Sequence, residues 1–202
     1  MKRTLIVSIP MKAEVVKSRY VSADPTLPAG SREAAFPVVP FLEAAGIRGD
    51  EMKVILIAKH SAFSHADEHV AALKEELAAI GVSATFVTVD SEFEEKRDVH
   101  EKLMLDLVKE IEDGSKLIAD VTYGSKDVPV VIFSAMNFAE KFLGCEVENI
   151  LYGQAFFRDD GSISETRLCD LSPLYTLNHL AGVLKCDSPE KARQLLRKVI
   201  SI

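Results

Sequence analysis

The sequence predicts an α/β protein, a Rossmann-like open and mostly parallel sheet with helices on both faces. Two observations predict it. Short apolar runs bounded by polar turns recur along the chain, and helical periodicities fall between them. Strands alternating with helices and joined by right-handed crossovers build such a sheet.

The expected strands are "TLIVSI" (4–9), "KVILIA" (53–58), "ATFVTV" (84–89), "KLIADV" (116–121) and "VENILYG" (147–153). Each is rich in Val and Ile and apolar on successive positions, the pattern of a strand buried on both faces. The first expected helix with clear periodicity spans 65–80, where Val70, Leu73, Leu77 and Ile80 share a face and Gly81 suits the C-terminus. The next spans 98–112. Asp98 and Glu101 form a capping box ahead of Leu103, Leu107 and Ile111. A third, 127–143, has Asp127 as its N-cap and Pro129 in its first turn. It is apolar almost all round, which predicts burial on more than one side, including a subunit interface.

The pattern changes after 153. "QAFFRDDGSISETRLCDL" reads as a hairpin around an Asp-Gly turn, followed by helices at 173–184 and 188–200. The expected organisation is a ligand-binding domain over 1–155 and a small hairpin and two-helix extension over 156–202. Residues 10–36, with Pro10, Pro25, Pro28 and Gly30, read as one long irregular connection.

Composition bounds the function. The chain has 202 residues, 48% hydrophobic and 27% charged, enough to bury a core and unlike a disordered chain. No apolar run reaches membrane-span length, and "MKRTLIVSIP" is too short in its apolar part for a signal peptide, so a cytoplasmic protein without a membrane partner is expected. Three cysteines with no CxxC pair suggest neither a disulfide framework nor a zinc knuckle. The net charge of −7 argues against a long nucleic acid as partner. The acidic excess is concentrated in residues 60–125, with fifteen Asp/Glu against six Lys/Arg, while residues 1–59 carry nine Lys/Arg against six Asp/Glu. A local anion site fits this distribution.

Ligands of open parallel sheets bind beyond the carboxyl ends of the strands. Three segments should meet there: the loop from Ser8 through Pro10, Met11 and Lys12 to Arg19 and Tyr20; Lys59, His60 and Ser61; and the turn "TYGSK" (122–126). Gly124 frees the backbone of that turn, the following helix offers N–H groups, and Lys126 adds charge. Residue types alone leave open whether Asp120, Thr122 and Ser125 bind an anion or only cap the turn. Arg19 and Tyr20 are types that touch phosphates and stack on bases, though a Tyr in such a loop is more often local packing. A dinucleotide is disfavoured: no G-x-G-x-x-G follows the first strand, and the second ends in Lys59 and His60 where an acidic residue would bind ribose. No Walker motif is present. "HADEH" spaces His65 and His69 by four but lacks the protease Glu and a third ligand, so no metal site is expected. "DSEFEEK" (90–96) reads as a solvated charged connection.

The turn "DVTYGSKDVPVVIFSAMNFAEKF" followed by "VENILYGQ" resembles the CRISPR-associated Rossmann-fold (CARF) domains of type III CRISPR systems, in the branch with D-[IV]-T-x-G after the fourth strand and Y-G ending the fifth. The resemblance covers about 1–155. It implies a homodimer that binds cyclic oligoadenylate, a cyclic tetra- or hexa-adenylate, across its two-fold axis. The ligand would touch Ser8, Pro10 to Lys12, the turn Thr122, Tyr123, Gly124, Ser125 and Lys126, and Gln154. Position 123 departs from the pattern, carrying Tyr where many of the branch have His; a stacking or phenol hydrogen-bonding role suits it better than acid/base work. No Arg is followed by His at the four-to-six-residue spacing of the HEPN ribonucleases that many CARF proteins carry.

Three functions follow as expectations. The first is a ring nuclease that opens cyclic oligoadenylate without metal or cofactor and switches signalling off, with Lys126, Ser8 and Ser125 as its catalytic residues. The second is a non-catalytic sensor of the ring that acts on an effector partner. The third is a Rossmann-like enzyme on another phosphorylated metabolite.

Overall fold

The computed structural model describes residues 1–48, 51–60, 64–94 and 96–200. In chain order they form β1 (Lys2–Ser8), β2 (Ser18–Ser22), β3 (Glu33–Ala34), α1 (Val38–Ala44), β4 (Glu51–Ala58), α2 (Ala66–Ala79), β5 (Ala84–Asp90), α3 (Arg97–Glu110), β6 (Lys116–Asp120), α4 (Val128–Phe142), β7 (Glu146–Phe157), β8 (Ile163–Asp170), α5 (Ser172–Val183) and α6 (Pro189–Ile200). All five expected strands are present, as β1, β4, β5, β6 and β7.

The strands form one sheet in the order β3-β2-β8-β7-β6-β1-β4-β5. From β7 through β6, β1 and β4 to β5, every pairing is parallel. β8 runs antiparallel to β7, β2 runs parallel to β8, and β3 closes that edge antiparallel to β2. After an excursion through β2 and β3 at the opposite edge, the chain runs from beside β1 through β4 to β5, then crosses back to β6 on the other side of β1. That reversal makes the β1/β6 boundary the topological switch point, where a crevice opens beyond the strand ends.

Apolar side chains alternate between the two faces of β1. Leu5 and Val7 join a core with Val54, Leu56, Val38, Phe41, Leu42, Leu73 and Leu77. Ile6 between them is equally buried and does not belong to that cluster, as expected of a strand whose alternate residues face opposite sides. Removing this area from water is the dominant stabilising term of the sheet.

Two expectations about the connections need correction. The supposed irregular segment 10–36 contains β2, which joins the sheet beside β8, and β3. Short polar strands such as "SRYVS" lack the apolar run by which the others were found. The hairpin, in turn, is not part of an extension. Its first arm continues β7 to Phe157, and its second, β8, pairs with both β7 and β2. The chain divides instead into Met1–Ser172 and Pro173–Ile202. The second unit consists of the two expected helices, whose leucines Leu177, Leu180, Leu184, Leu195 and Leu196 line a groove of about 510 Å³.

Caps differ as well. Asp98 and Glu101 form no capping box: α3 starts a residue earlier, and Glu101 accepts from Arg97 Nε at 2.6 Å. Gly81, following α2, has φ +79° as a C-terminal glycine should. No helix of the described residues is long and apolar enough to cross a membrane.

Candidate functional site at the switch point

The turn 121–127 follows β6 at the switch point and is fastened from four sides. Asp120, fully buried, accepts from Thr122 N at 3.0 Å and Thr122 Oγ1 at 2.5 Å on one oxygen. Its other oxygen accepts from Val38 N, at the start of α1, at 3.1 Å. Burial pushes the Asp120 carboxyl upward, opposed by these donors. Thr122 Oγ1 in turn accepts from Gly153 N at 2.8 Å, tying β6 to β7. Ser8, at the end of β1, donates to Tyr123 O at 2.6 Å and approaches Asp120 O at 3.2 Å.

The two glycines of the motif have separate reasons. Gly124 sits at φ +91°, and an added Cβ would meet Ser8 Cβ at 3.3 Å. Gly153 has ordinary φ, but a Cβ there would lie 2.4 Å from Pro37 Cγ and 2.9 Å from Tyr20 Cε1. D-x-T-x-G and Y-G are thus a mutual lock. Asp120 orients Thr122, Thr122 holds Gly153, and Gly153 leaves room for Tyr20.

Tyr123 faces inward. Its phenol donates to Ala35 O at 2.6 Å and its ring meets Phe36 edge-on at 5.8 Å between centroids. The Ala35 and Phe36 amides are held by Glu76 of α2, at 2.9 Å for Ala35 N and 3.4 Å for Phe36 N. Burial, and next the neighbouring Tyr20, raises the Tyr123 phenol well above the usual tyrosine range. Tyr20 is itself 5% exposed, its phenol pushed up to about 12, chiefly by burial.

Several expected ligand contacts are therefore corrected. Thr122 and Ser8 spend their hydroxyls inside the lock, so neither has a free hydroxyl to offer a ligand. Tyr20 belongs to the core and is no stacking platform. Tyr123 does use its phenol as a donor, toward the protein. Pro10 is buried too, whereas Met11 is half-buried and Lys12 exposed. His60 is bracketed by carboxylates, Nδ1 at 2.7 Å from Asp90 and Nε2 at 3.3 Å from Asp67, which disfavours it as an anion ligand. Arg19 is exposed, and its carbonyl accepts from Thr166 Oγ1 at 3.0 Å. Gln154 is half-buried directly after Gly153. Ser61 lies outside the described residues.

Exposed at this turn are Gly124 and Lys126, with Ser125 half-buried between them. The Ser125 hydroxyl oxygen and Asp127 Oδ1 are both buried. Asp127 starts α4 as expected, with Pro129 in the first turn, but its carboxylate does not cap the helix. Asp127 Oδ2 lies 3.0 Å from His100 Nε2, on the first turn of α3. Burial works against ionisation of Asp127, yet Ser125, its own amide, Lys59 and His100 hold it below the usual aspartate range. Lys59, at the end of β4, is only 6% exposed. Lys59, His100, Ser125, Lys126 and Asp127 thus gather at the strand ends.

His100 was not singled out by sequence. It lies 27 residues from Asp127 on another helix, and Asp127 was accounted for as a cap. The spaced pair His65 and His69 has other duties: His65 Nδ1 pairs with Glu68 at 2.9 Å, and His69 Nε2 donates to Lys12 O at 2.7 Å. Among the described residues, no group of three or more His, Cys, Asp or Glu is placed to hold a metal ion.

No protein-family model matches the chain. No curated protein matches it. Among solved structures it is similar to phosphofructokinase-2 from Escherichia coli in complex with fructose-6-phosphate, at 13% identity and a TM-score of 0.38. The match covers 74% of this chain and 55% of the kinase, so the chain spans about half of that protein's length. So distant a likeness carries no argument about the site.

Proposed function

We propose that this protein binds cyclic oligoadenylate across a homodimer at the β1/β6 switch point and opens the ring without a metal ion. The observation that carries the reading is the locked turn 121–127. A scaffold of buried Asp120 with half-buried Thr122 and Gly153 fixes a loop that turns outward at Gly124 and exposes Lys126. A polyanion needs such a preorganised cation and adjacent backbone N–H groups.

A dimer is supported by α4. One face of it lies in the core through Val131, Ile132, Ala135 and Met136, while Val130, Phe138 and Phe142 are 67%, 37% and 69% exposed. A two-fold axis presents the same turn twice to a ring of matching symmetry. Cleavage then asks mainly for position: a ribose 2′-hydroxyl held in line with the next phosphorus, and Lys126 stabilising the charge that develops. The products are linear oligoadenylates ending in a 2′,3′-cyclic phosphate. With the Ser8 hydroxyl consumed in the lock, Lys126 and Ser125 remain from the expected catalytic set.

The sensor reading has one observation of its own. In the second unit, Leu174, Val183, Leu184 and Leu196 are about half exposed or more, an apolar surface suited to an effector. The test is incubation of the purified protein with cyclic tetra- and hexa-adenylate in EDTA, with products followed by mass spectrometry. Linear products that disappear with Lys126→Ala support the nuclease. Tight binding of a ring left intact sinks it in favour of the sensor.

A further inference from the structure

We propose that His100, oriented by Asp127, is the general base that takes the 2′-hydroxyl proton in ring opening; this rests on the nuclease reading above. The pair is built as such a dyad requires. Asp127 is held ionised beside Lys59, and its Oδ2 accepts the His100 Nε2–H at 3.0 Å. That hydrogen bond fixes the neutral tautomer, so Nδ1 carries the ring's lone pair. Nδ1 has no hydrogen-bond partner among the described residues, and the side chain is 35% exposed. Asp127 directly follows Lys126 in the chain. The carboxylate that holds His100 therefore sits next in the chain to the exposed cation.

The step balances. His100 Nδ1 takes the proton of the 2′-hydroxyl, and O2′ forms a bond to the adjacent phosphorus. The P–O5′ bond breaks and the 5′-oxygen takes a proton from solvent. The imidazolium then returns its proton to solvent, leaving a 2′,3′-cyclic phosphate and a 5′-hydroxyl. Ser125, the Asp127 amide and then buried Lys59 favour the ionised Asp127 while the imidazole becomes cationic. Asp127 and Lys59 are positioning residues in this scheme.

The competing role for the pair is a plain pin between α3 and α4. His100→Gln separates the two, because a carboxamide N–H can still reach Asp127 but cannot take the proton. The expected result is a thermal midpoint and an affinity for the ring close to wild type, with single-turnover cleavage slowed by about 100-fold or more. Added imidazole should restore part of the rate in His100→Ala. If His100→Gln cuts at the wild-type rate, or loses folding, binding and cleavage together, the general-base assignment is overturned while wild-type cleavage leaves the nuclease reading standing. A wild-type protein that leaves the ring intact overturns both.

Discussion

Gly153 and Tyr123 are the residues where the motif's meaning is most open to measurement. A methyl at 153 would strike Pro37 and Tyr20, so Gly153→Ala is expected to cost about 1–3 kcal/mol by overpacking, read from urea unfolding. Tyr123→Phe strands the Ala35 carbonyl and should cost about 1–3 kcal/mol, yet leave affinity for the ring nearly unchanged, because the phenol points into the protein. Asp127 supplies the pH dependence. Its folded pKa lies below the ordinary value, so its contribution to stability is present above that value and lost as pH falls through the folded one. The stability difference between wild type and Asp127→Asn, measured by urea unfolding, should therefore shrink from neutral pH to about pH 3. Little of this was legible residue by residue. The sequence marks Gly124 as a turn residue and Lys126 as its charge. It is silent on which hydroxyls the fold consumes, because Ser8 meets Tyr123 and Thr122 meets Gly153 only once β1, β6 and β7 are aligned.

The Val- and Ile-rich runs were legible as strands. β1, β4 and β6 are buried on both faces as expected, whereas edge strand β5 and strand β7 are largely half-buried or exposed. β2 was not legible, because five mixed residues at the far side of the sheet need only Tyr20 inward. The hairpin was read correctly as local structure and wrongly as an appendage, since pairing of β8 with β2 is non-local and leaves no periodicity. α4 was predicted apolar all round; one face lies in the core, and Val130, Phe138 and Phe142 are exposed on the other, the side on which the proposed dimer would form. Phe142→Glu should lower the dimer fraction in sedimentation equilibrium without unfolding the chain, because its side chain is two-thirds exposed.

At the scale of the whole molecule, the strand order places the chain's reversal between β1 and β6, and the best anion turn lies at that reversal. In the proposed reading, the anion is a cyclic oligoadenylate. The geometry supplies a rigid turn, an exposed Lys126 and a His–Asp pair beside it. These claims meet in one titration of the wild-type protein and Lys126→Ala with cyclic tetra- and hexa-adenylate by calorimetry in EDTA. The account predicts one ring bound per two chains, with affinity for it weakened by about 10-fold or more in the variant. Absence of heat with either ring, or equal affinity in both proteins, would contradict it.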